Sequence, residues 1–544
     1  MWTKRVATEM SGRDPLGLSR VGDLIKDFLL SGINTNNTRA RYYSFYTWAL
    51  WHIEREERAR GEREFTAAFR RREATMALAT LAHDPASSTI GIKRVGPRYD
   101  TGIEAGVFDC DFKVLKNALG GYGQYYTGSL NRLGLVHRPE NSFDVVRQGA
   151  AEGLAESFQA AIENTPYVRK RLYKDTKISK RDLLASAEGL TLDALDRPEC
   201  REERRRLIEI FFGLDGGSFL PRRDSLALIL HALTEYEQYG IRPDASRGHL
   251  LDKHLLYAFY YGALLLEGKT VQHHVPEPLV FCRDMWRQFC LHQFLTQAAE
   301  GLLRAVLEVL TAEPAGLTLD EVVTLITAPD FRQTLADAIR GDCQQPRDLL
   351  AAFGVSDIPD EATSISLRKT IMPTHRLSET RTLNWKSGGA AFETARAVLL
   401  LATLYAKWRG AGQDLAFNYV STRAGQDLWA GSLLPSLDRW LDAGLTWEES
   451  LRELIEVFIL NQHDRVMYEK GKLDSSWVQR AGGRIVKEQD YKRAWRSSRH
   501  LNAVLIMRDL GLVRFSDGQK TSITPPGRKV LDRALRLSRG TQEE

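Results

Sequence analysis

Three stretches of the chain carry residue types that could do chemistry. "FDCDFK" alternates Asp109, Asp111 and Lys113 with Phe108, Cys110 and Phe112. On a strand over Phe108–Val114 successive side chains point to opposite faces, so both carboxylates and the lysine share one face. Such a set would hold Mg2+ and steady a developing negative charge, as in a metal-dependent nuclease. The same alternation equally makes an ordinary half-buried strand, with Phe108, Cys110 and Phe112 inward. That plainer reading is preferred, because no second acidic cluster is tied to the first. His273, His274, Cys282, Cys290 and His292 are ligand types in one short window, but their spacing fits no standard zinc pattern. "FCRDMWRQFCLHQFL" reads as an aromatic-rich helix with buried thiols. "GALLLEGKT" (Gly262–Thr270) places five residues between Gly262 and Gly268, where a phosphate loop has four, and the intervening residues read as helical. No catalytic residue, metal ligand or cofactor is therefore assigned.

Charge gives a more directed signal. The net charge of +5 is modest for 544 residues. Between Arg480 and Arg539, however, fifteen basic residues face five acids. This end is therefore strongly basic, and the remainder is slightly acidic. Such asymmetry points to an anionic partner at the C-terminal end. A second basic stretch, "VRKRLYKDTKISKR", reads as a linker or a solvated helix face. The five cysteines, Cys110, Cys200, Cys282, Cys290 and Cys343, are scattered, which suits reduced thiols in a cytoplasmic protein. The first ten residues lack the apolar run of a signal peptide. The longest apolar stretches, near Leu255–Leu266 and Ala397–Ala406, are too short for a bilayer, which needs roughly 20 residues. They read as buried helices, and no membrane association is expected.

Most of the sequence has helical periodicity. In "INTNNTRARYYSFYTWALWHIEREE", Asn36, Asn37 or Thr38 would cap a helix on which Tyr42, Phe45, Tyr46, Ala49 and Ile53 recur at helical spacing. Its aromatics beside Arg39 and Arg41 could stack single-stranded nucleic acid, but a core helix is the preferred reading. "GLTLDAL", "GLTLDEV" and "GLTWEES" read as helix starts, with capping boxes at Thr318/Glu321 and Thr446/Glu449. "SLNRLGLV" (Ser129–Val136) and "IMRDLGLV" (Ile506–Val513) share one grammar. A helix ends on a left-handed glycine, Gly134 or Gly511; a short strand, a turn, a second strand and a new helix follow.

With these residues in view, Leu501–Leu535 resembles a winged-helix domain of bacterial DNA-binding regulators. A weaker copy covers about Ala118–Ala161. The resemblance implies that "RHLNAVLIMRDLGLV" is the third helix and Arg514–Lys520 the first wing strand and turn. Asp517-Gly518 then forms the hairpin tip, and Pro525–Arg536 the closing helix. Residues expected to reach DNA are Lys492, Arg493, Arg496, Arg499, Asn502, Arg514 and Lys520, with Arg496, Arg499 and Asn502 facing outward. Through "TRARYYSFYTWALW", "YYTGSLNRLGLV" and "LNQHDRVMYEKG", the whole chain is also similar to an uncharacterised family of large bacterial proteins linked to anti-phage defence loci. That resemblance implies work beside a helicase or nuclease partner.

These readings give a mainly α, multidomain helical protein with two winged-helix-like units. Expected boundaries are 1–165, 166–310, 311–440 and a C-terminal winged-helix domain at 441–544. The expected function is that of a non-enzymatic duplex-DNA-binding subunit in a bacterial defence or DNA-processing complex. Two alternatives stand beside it: a metal-dependent nuclease using Asp109, Asp111 and Lys113, and a scaffold docking protein partners through Leu505 and Ile506.

Overall fold

The computed structural model describes residues 14–540, apart from 58–60, 141, 217–219, 246–247, 267–268, 340, 353–387, 409–413, 472–475, 493–495 and 517–519. Helices dominate, as expected for a mainly α chain. Helices α1 (Ser19–Leu29), α2 (Arg41–His52), α3 (Glu62–His83) and α4 (Ile92–Ala105) lead into strand β1 (Val107–Asp109). Next come α5 (Thr127–Arg132), β2 (Val136–His137), β3 (Val145–Val146) and α6 (Ala150–Ile162), then β4 (Lys177–Ser179), α7 (Lys180–Leu190) and α8 (Arg201–Phe212). The middle holds α9 (Pro221–Gln238), α10 (Gly248–Tyr261), β5 (Ala263–Leu266), β6 (Lys269–Gln272) and α11 (Val280–Thr311). α12 (Ala390–Trp408) follows after several shorter helices. The C-terminal part has β7 (Val478–Ala481), β8 (Arg484–Lys487), α13 (His500–Asp509), β9 (Val513–Ser516), β10 (Lys520–Ile523) and α14 (Pro525–Gly540).

α11 is the spine. Its 32 residues make a rod of about 48 Å at ~1.5 Å per residue, and α1, α10 and α12 lie against it. It is apolar on most sides, and Cys282, Cys290 and His292 are all buried within it, as the aromatic-rich sequence predicts. Buried apolar side chains from Leu16 to Ala534 form one contiguous core. No helix among the described residues is long and apolar enough to cross a membrane.

Among the described residues the strands form antiparallel two-stranded sheets, β1–β4, β2–β3, β5–β6, β7–β8 and β9–β10, with single bridges from β8 to Leu317 and from β10 to Asp244. The grammar read at Gly134 and Gly511 holds in atomic detail. Gly134 (φ +72°) and Gly511 (φ +71°) are left-handed. The N–H of Leu135 returns to the Leu130 carbonyl and that of Leu512 to the Met507 carbonyl, each at 2.9 Å, the six-to-one bond of a Schellman stop. Each hairpin closes identically, Arg147 N–H to Leu135 C=O and Thr524 N–H to Leu512 C=O, both at 3.0 Å.

Two further units share this plan. Gly262 (φ +63°) stops α10 before the β5–β6 hairpin, which closes from His273 N–H to Gly262 C=O at 2.9 Å. Gly106 (φ +72°) stops α4, and Lys180 N–H closes β1 against β4 by bonding the Gly106 carbonyl at 2.9 Å, with residues 110–176 inserted between the strands. The apolar run Leu255–Leu266 is thus half helix and half strand, which corrects the single-helix reading. A left-handed glycine ends a helix even where hydrophobicity continues.

Other expectations shift locally. α2 starts at Arg41, and none of Asn36, Asn37 or Thr38 caps it. The carboxylate of Asp509, from the far end of the chain, accepts the Ala40 N–H at 3.1 Å. Asn37 instead donates to the Tyr43 hydroxyl (2.8 Å) and Ser129 (3.0 Å). The aromatics of α2 are core residues, as preferred, and Arg41 is fully buried against Glu203. The capping boxes at Thr318 and Thr446 are both formed. "GLTLDAL" is the exception. α7 ends at Leu190, and the phrase runs into a 3-10 turn at Ala194–Asp196.

Candidate functional site

The basic C-terminal end divides into residues that fasten the fold and residues that face solvent. α13 belongs to the first group. None of its residues is exposed, and Val504 and Ile506 are wholly buried. Arg499, at its N-terminus, donates to Asp27 (2.7 Å) and to the Ile33 carbonyl (3.1 Å). Asn502 donates to the carbonyls of Thr35 (3.0 Å) and Asn37 (3.3 Å). Arg496 reaches Glu300 at 3.2 Å and Asp14 at 3.4 Å. The expected outward orientation of Arg496, Arg499 and Asn502 is therefore corrected. All three face the interior, and each bonds a residue remote in the chain. Charges placed there must be paired, because an unpaired buried charge costs several kcal/mol. Asp27 responds accordingly. Burial raises its pKa, but the bond from Arg132 and the field of Arg499 outweigh it and hold the carboxyl below its usual range. Leu505 and Ile506, read as a docking patch, belong to the packing of α13, Leu505 half-buried and Ile506 fully buried.

Lys492, Arg514 and Lys520 are exposed. Arg514 lies across β9–β10 from Ser522, with its Nε 3.2 Å from that hydroxyl. β10 is braced on its other edge, where Thr521 N–H bonds the Pro243 carbonyl at 2.9 Å. Arg493 and the Asp517-Gly518 tip lie outside the described residues. The residues that sequence reasoning missed are on α14. Its two opening prolines suit a helix start, where no N–H is needed, and Leu531, Ala534 and Ser538 turn inward, toward α9. The opposite face carries Lys529, Arg533, Arg536 and Arg539, all exposed, with Asp532 the one acid among them. Lys529, Arg533 and Arg536 stand at i, i+4 and i+7, one stripe of a helix. That spacing is visible in the sequence.

Asp109, Asp111 and Lys113 do not come together as a site. β1 ends at Asp109, so the strand over Phe108–Val114 is not formed. Asp109 accepts the N–H of Asp111 at 2.9 Å, a side-chain-closed turn. Asp111 is paired with Arg70 at 2.5 Å. Phe108, Cys110 and Phe112 are buried, as in the plainer reading.

A different set of ligand types does converge. His231 and Glu235 lie one turn apart on α9, and His273 follows directly on β6. One ligand atom from each lies within 4.8 Å of the others, and among the described residues no other such group of three forms. His273 Nδ1 bonds the Glu235 carboxylate. His231 Nε2 is 2.7 Å from the His274 carbonyl and 3.9 Å from Glu235. Burial lowers the pKa of His231 and favours its neutral form. Burial also works to raise that of Glu235, but the His273 hydrogen bond and the two imidazoles prevail, so the carboxyl sits low. Only His273 stands out in the sequence. Its partners are far away in the chain, and a single His-x-x-x-Glu on a helix is no signal by itself.

Comparison of the chain with protein-family models, curated proteins and solved structures finds no match.

Proposed function

We propose that the protein is a non-enzymatic DNA-binding subunit of a DNA-processing or defence assembly, gripping duplex phosphates through its C-terminal surface. The observation that supports this is the exposed stripe of Lys529, Arg533 and Arg536 on α14, beside the exposed Arg514 and Lys520 of the neighbouring hairpin. Exposed cations spaced along one helix face are what phosphate contact requires, and such contacts carry no sequence information. The enclosure of α13 gives this reading its particular form. A helix without an exposed face cannot enter a major groove, so base readout by the unit's third helix is not part of it. A helicase or nuclease partner would supply the chemistry.

The test is binding of the full chain to labelled duplex DNA across a salt series, beside Lys529→Ala/Arg533→Ala/Arg536→Ala. The wild type should bind unrelated sequences alike and lose affinity steeply with salt. The triple variant should bind more weakly to all of them. Its log–log salt slope should be shallower by about 2.7, at ~0.9 for each phosphate no longer neutralised. Arg533 also donates to the Leu214 carbonyl at 2.7 Å, so a melt of the variant beside the wild type shows that it is folded. Undiminished binding by a folded triple variant would remove α14 from the interface.

A further inference from the structure

We infer that His231, Glu235 and His273 form a binding site for one Zn2+ ion, with two imidazole nitrogens and one carboxylate oxygen as protein ligands. This goes beyond the DNA-binding proposal and is independent of it.

The geometry comes from two elements that the fold holds rigidly. His231 and Glu235 are four residues apart on α9, so they project from one face of it. His273 is the closing residue of the β5–β6 hairpin, its backbone N–H tied to the Gly262 carbonyl at 2.9 Å. Its ring lies between α9 and Phe259 of α10, with ring centroids 6.2 Å apart. The His273 side chain is 0% exposed, against 12% for Glu235 and 19% for His231. The site is thus closed on the hairpin side and reachable from the His231 side. Ligand atoms around a tetrahedral zinc at ~2.0–2.1 Å stand about 3.3 Å apart. The 3.9 Å between His231 Nε2 and Glu235 is close to that without any backbone change.

The alternative is that these groups merely hydrogen-bond one another. His273 Nε2 is buried without a partner whether Nδ1 meets Glu235 or a metal ion, so it does not separate the two readings. Two histidines and a carboxylate, all largely removed from water, are a costly way to fasten a hairpin that its own backbone already closes. As a metal site the same groups have a purpose. The ion takes the place of the proton shared by His273 Nδ1 and Glu235. A neutral His273 keeps that proton, moved to Nε2, and protonation of the imidazoles or the carboxylate competes with the ion, so affinity falls as pH falls. His231 moves its single N–H from Nε2 to Nδ1, freeing the Nε2 lone pair. Two imidazoles and one carboxylate match the set that binds zinc while leaving a fourth position for water or an exchangeable ligand. Zn2+ rather than Mg2+ follows from the nitrogen donors.

The experiment uses the untagged full chain, stripped with a chelator and then titrated with ZnCl2 against a colorimetric zinc indicator. Co2+ titration, read by visible absorption, reports coordination directly. The expected result is one Zn2+ per chain, a rise in melting temperature, and cobalt bands in the visible. His231→Ala should weaken zinc binding by about 100-fold or more. This half-buried residue has one hydrogen bond to lose, so the variant should remain folded. Glu235→Gln, which keeps the side chain's shape, should do likewise, whereas His274→Ala should bind zinc as the wild type does, because the exposed His274 is not among the converging ligands. A folded wild type that takes up no stoichiometric Zn2+ would overturn the inference. So would equal zinc affinity in folded His231→Ala, since the ion would then sit elsewhere.

Discussion

Buried charge decides most of what individual residues do here. Glu73 is the clearest case. It is 3% exposed among tyrosines, and its carboxylate accepts from the Tyr46 hydroxyl (2.7 Å) and the Gly121 N–H (2.8 Å). Burial dominates those bonds and pushes its pKa from 4.5 up to about 7. The folded state therefore keeps its proton where the unfolded chain has lost it. The associated stability is complete below about pH 4.5 and is lost as pH rises to about 7. At ~1.36 kcal/mol per pKa unit the effect is on the order of 3 kcal/mol. Glu73→Gln keeps the acceptor oxygen and cannot ionise, so its stability should decline less between pH 5 and pH 8 than that of the wild type. Urea melts at several pH values test this, and parallel profiles for the two proteins would refute it. Sequence alone shows how such residues can be misread. Arg499 and Lys529 look equally like DNA contacts as letters in a basic tail. The structure separates them because Asp27 lies opposite Arg499, a partner hundreds of residues away. Helical spacing is enough to find Lys529, Arg533 and Arg536. No spacing could find Asp27.

At the scale of elements, the recurrent piece is a helix stopped by a left-handed glycine, then a short hairpin closed by one backbone bond, then a helix. Two of the four copies are legible because "RLGLV" and "DLGLV" spell the stop and the first strand alike. The copy at Gly262 is hidden by an unbroken apolar run, in which helix and strand cannot be told apart by periodicity. The copy at Gly106 is hidden by the insertion that separates β1 from β4. Glycines in this plan do different work, and alanine substitution should reveal it. At Gly134 an added Cβ meets nothing within 4 Å, so the cost of alanine is the positive φ alone, about 1 kcal/mol. Gly527 lies inside α14, where alanine would ordinarily stabilise by about 1 kcal/mol. Here its Cβ would stand 2.1 Å from the Leu512 carbonyl oxygen, the atom that closes the hairpin. Gly527→Ala should therefore destabilise by roughly 1–3 kcal/mol. Equilibrium denaturation of the two variants checks the contrast, and a stabilised Gly527→Ala would show that α14 does not seat against Leu512 as described.

At the scale of the whole molecule, the ends of the chain complete each other. Asp509 receives the Ala40 N–H and the Arg39 guanidinium (2.9 Å). Arg499 and Asn502 fill the carbonyls of the segment before α2. Asp14 and Glu300 share Arg496. The basic tail thus reads, by composition, as a detachable nucleic-acid module, while its central helix is one of the most enclosed in the fold. A module that binds DNA through an independent domain would keep that activity when cut free. Residues 441–544 expressed alone would instead expose Val504, Ile506 and Met507, which are wholly buried in the full chain, and would leave the charges of Arg496 and Arg499 without their acids. Exposing such apolar surface loses ~25 cal/mol for each Å², and the fragment has no second layer to replace α10, against which α13 packs. The fragment should therefore lack the cooperative melt of a packed domain and should aggregate, while the DNA binding proposed above should belong to the full chain alone. Circular dichroism melts and size-exclusion profiles of fragment and full chain decide the matter. A monomeric, cooperatively folding fragment that binds DNA as tightly as the full chain would mean that the bonds between the two ends are dispensable, and that α13 can present a face to DNA after all.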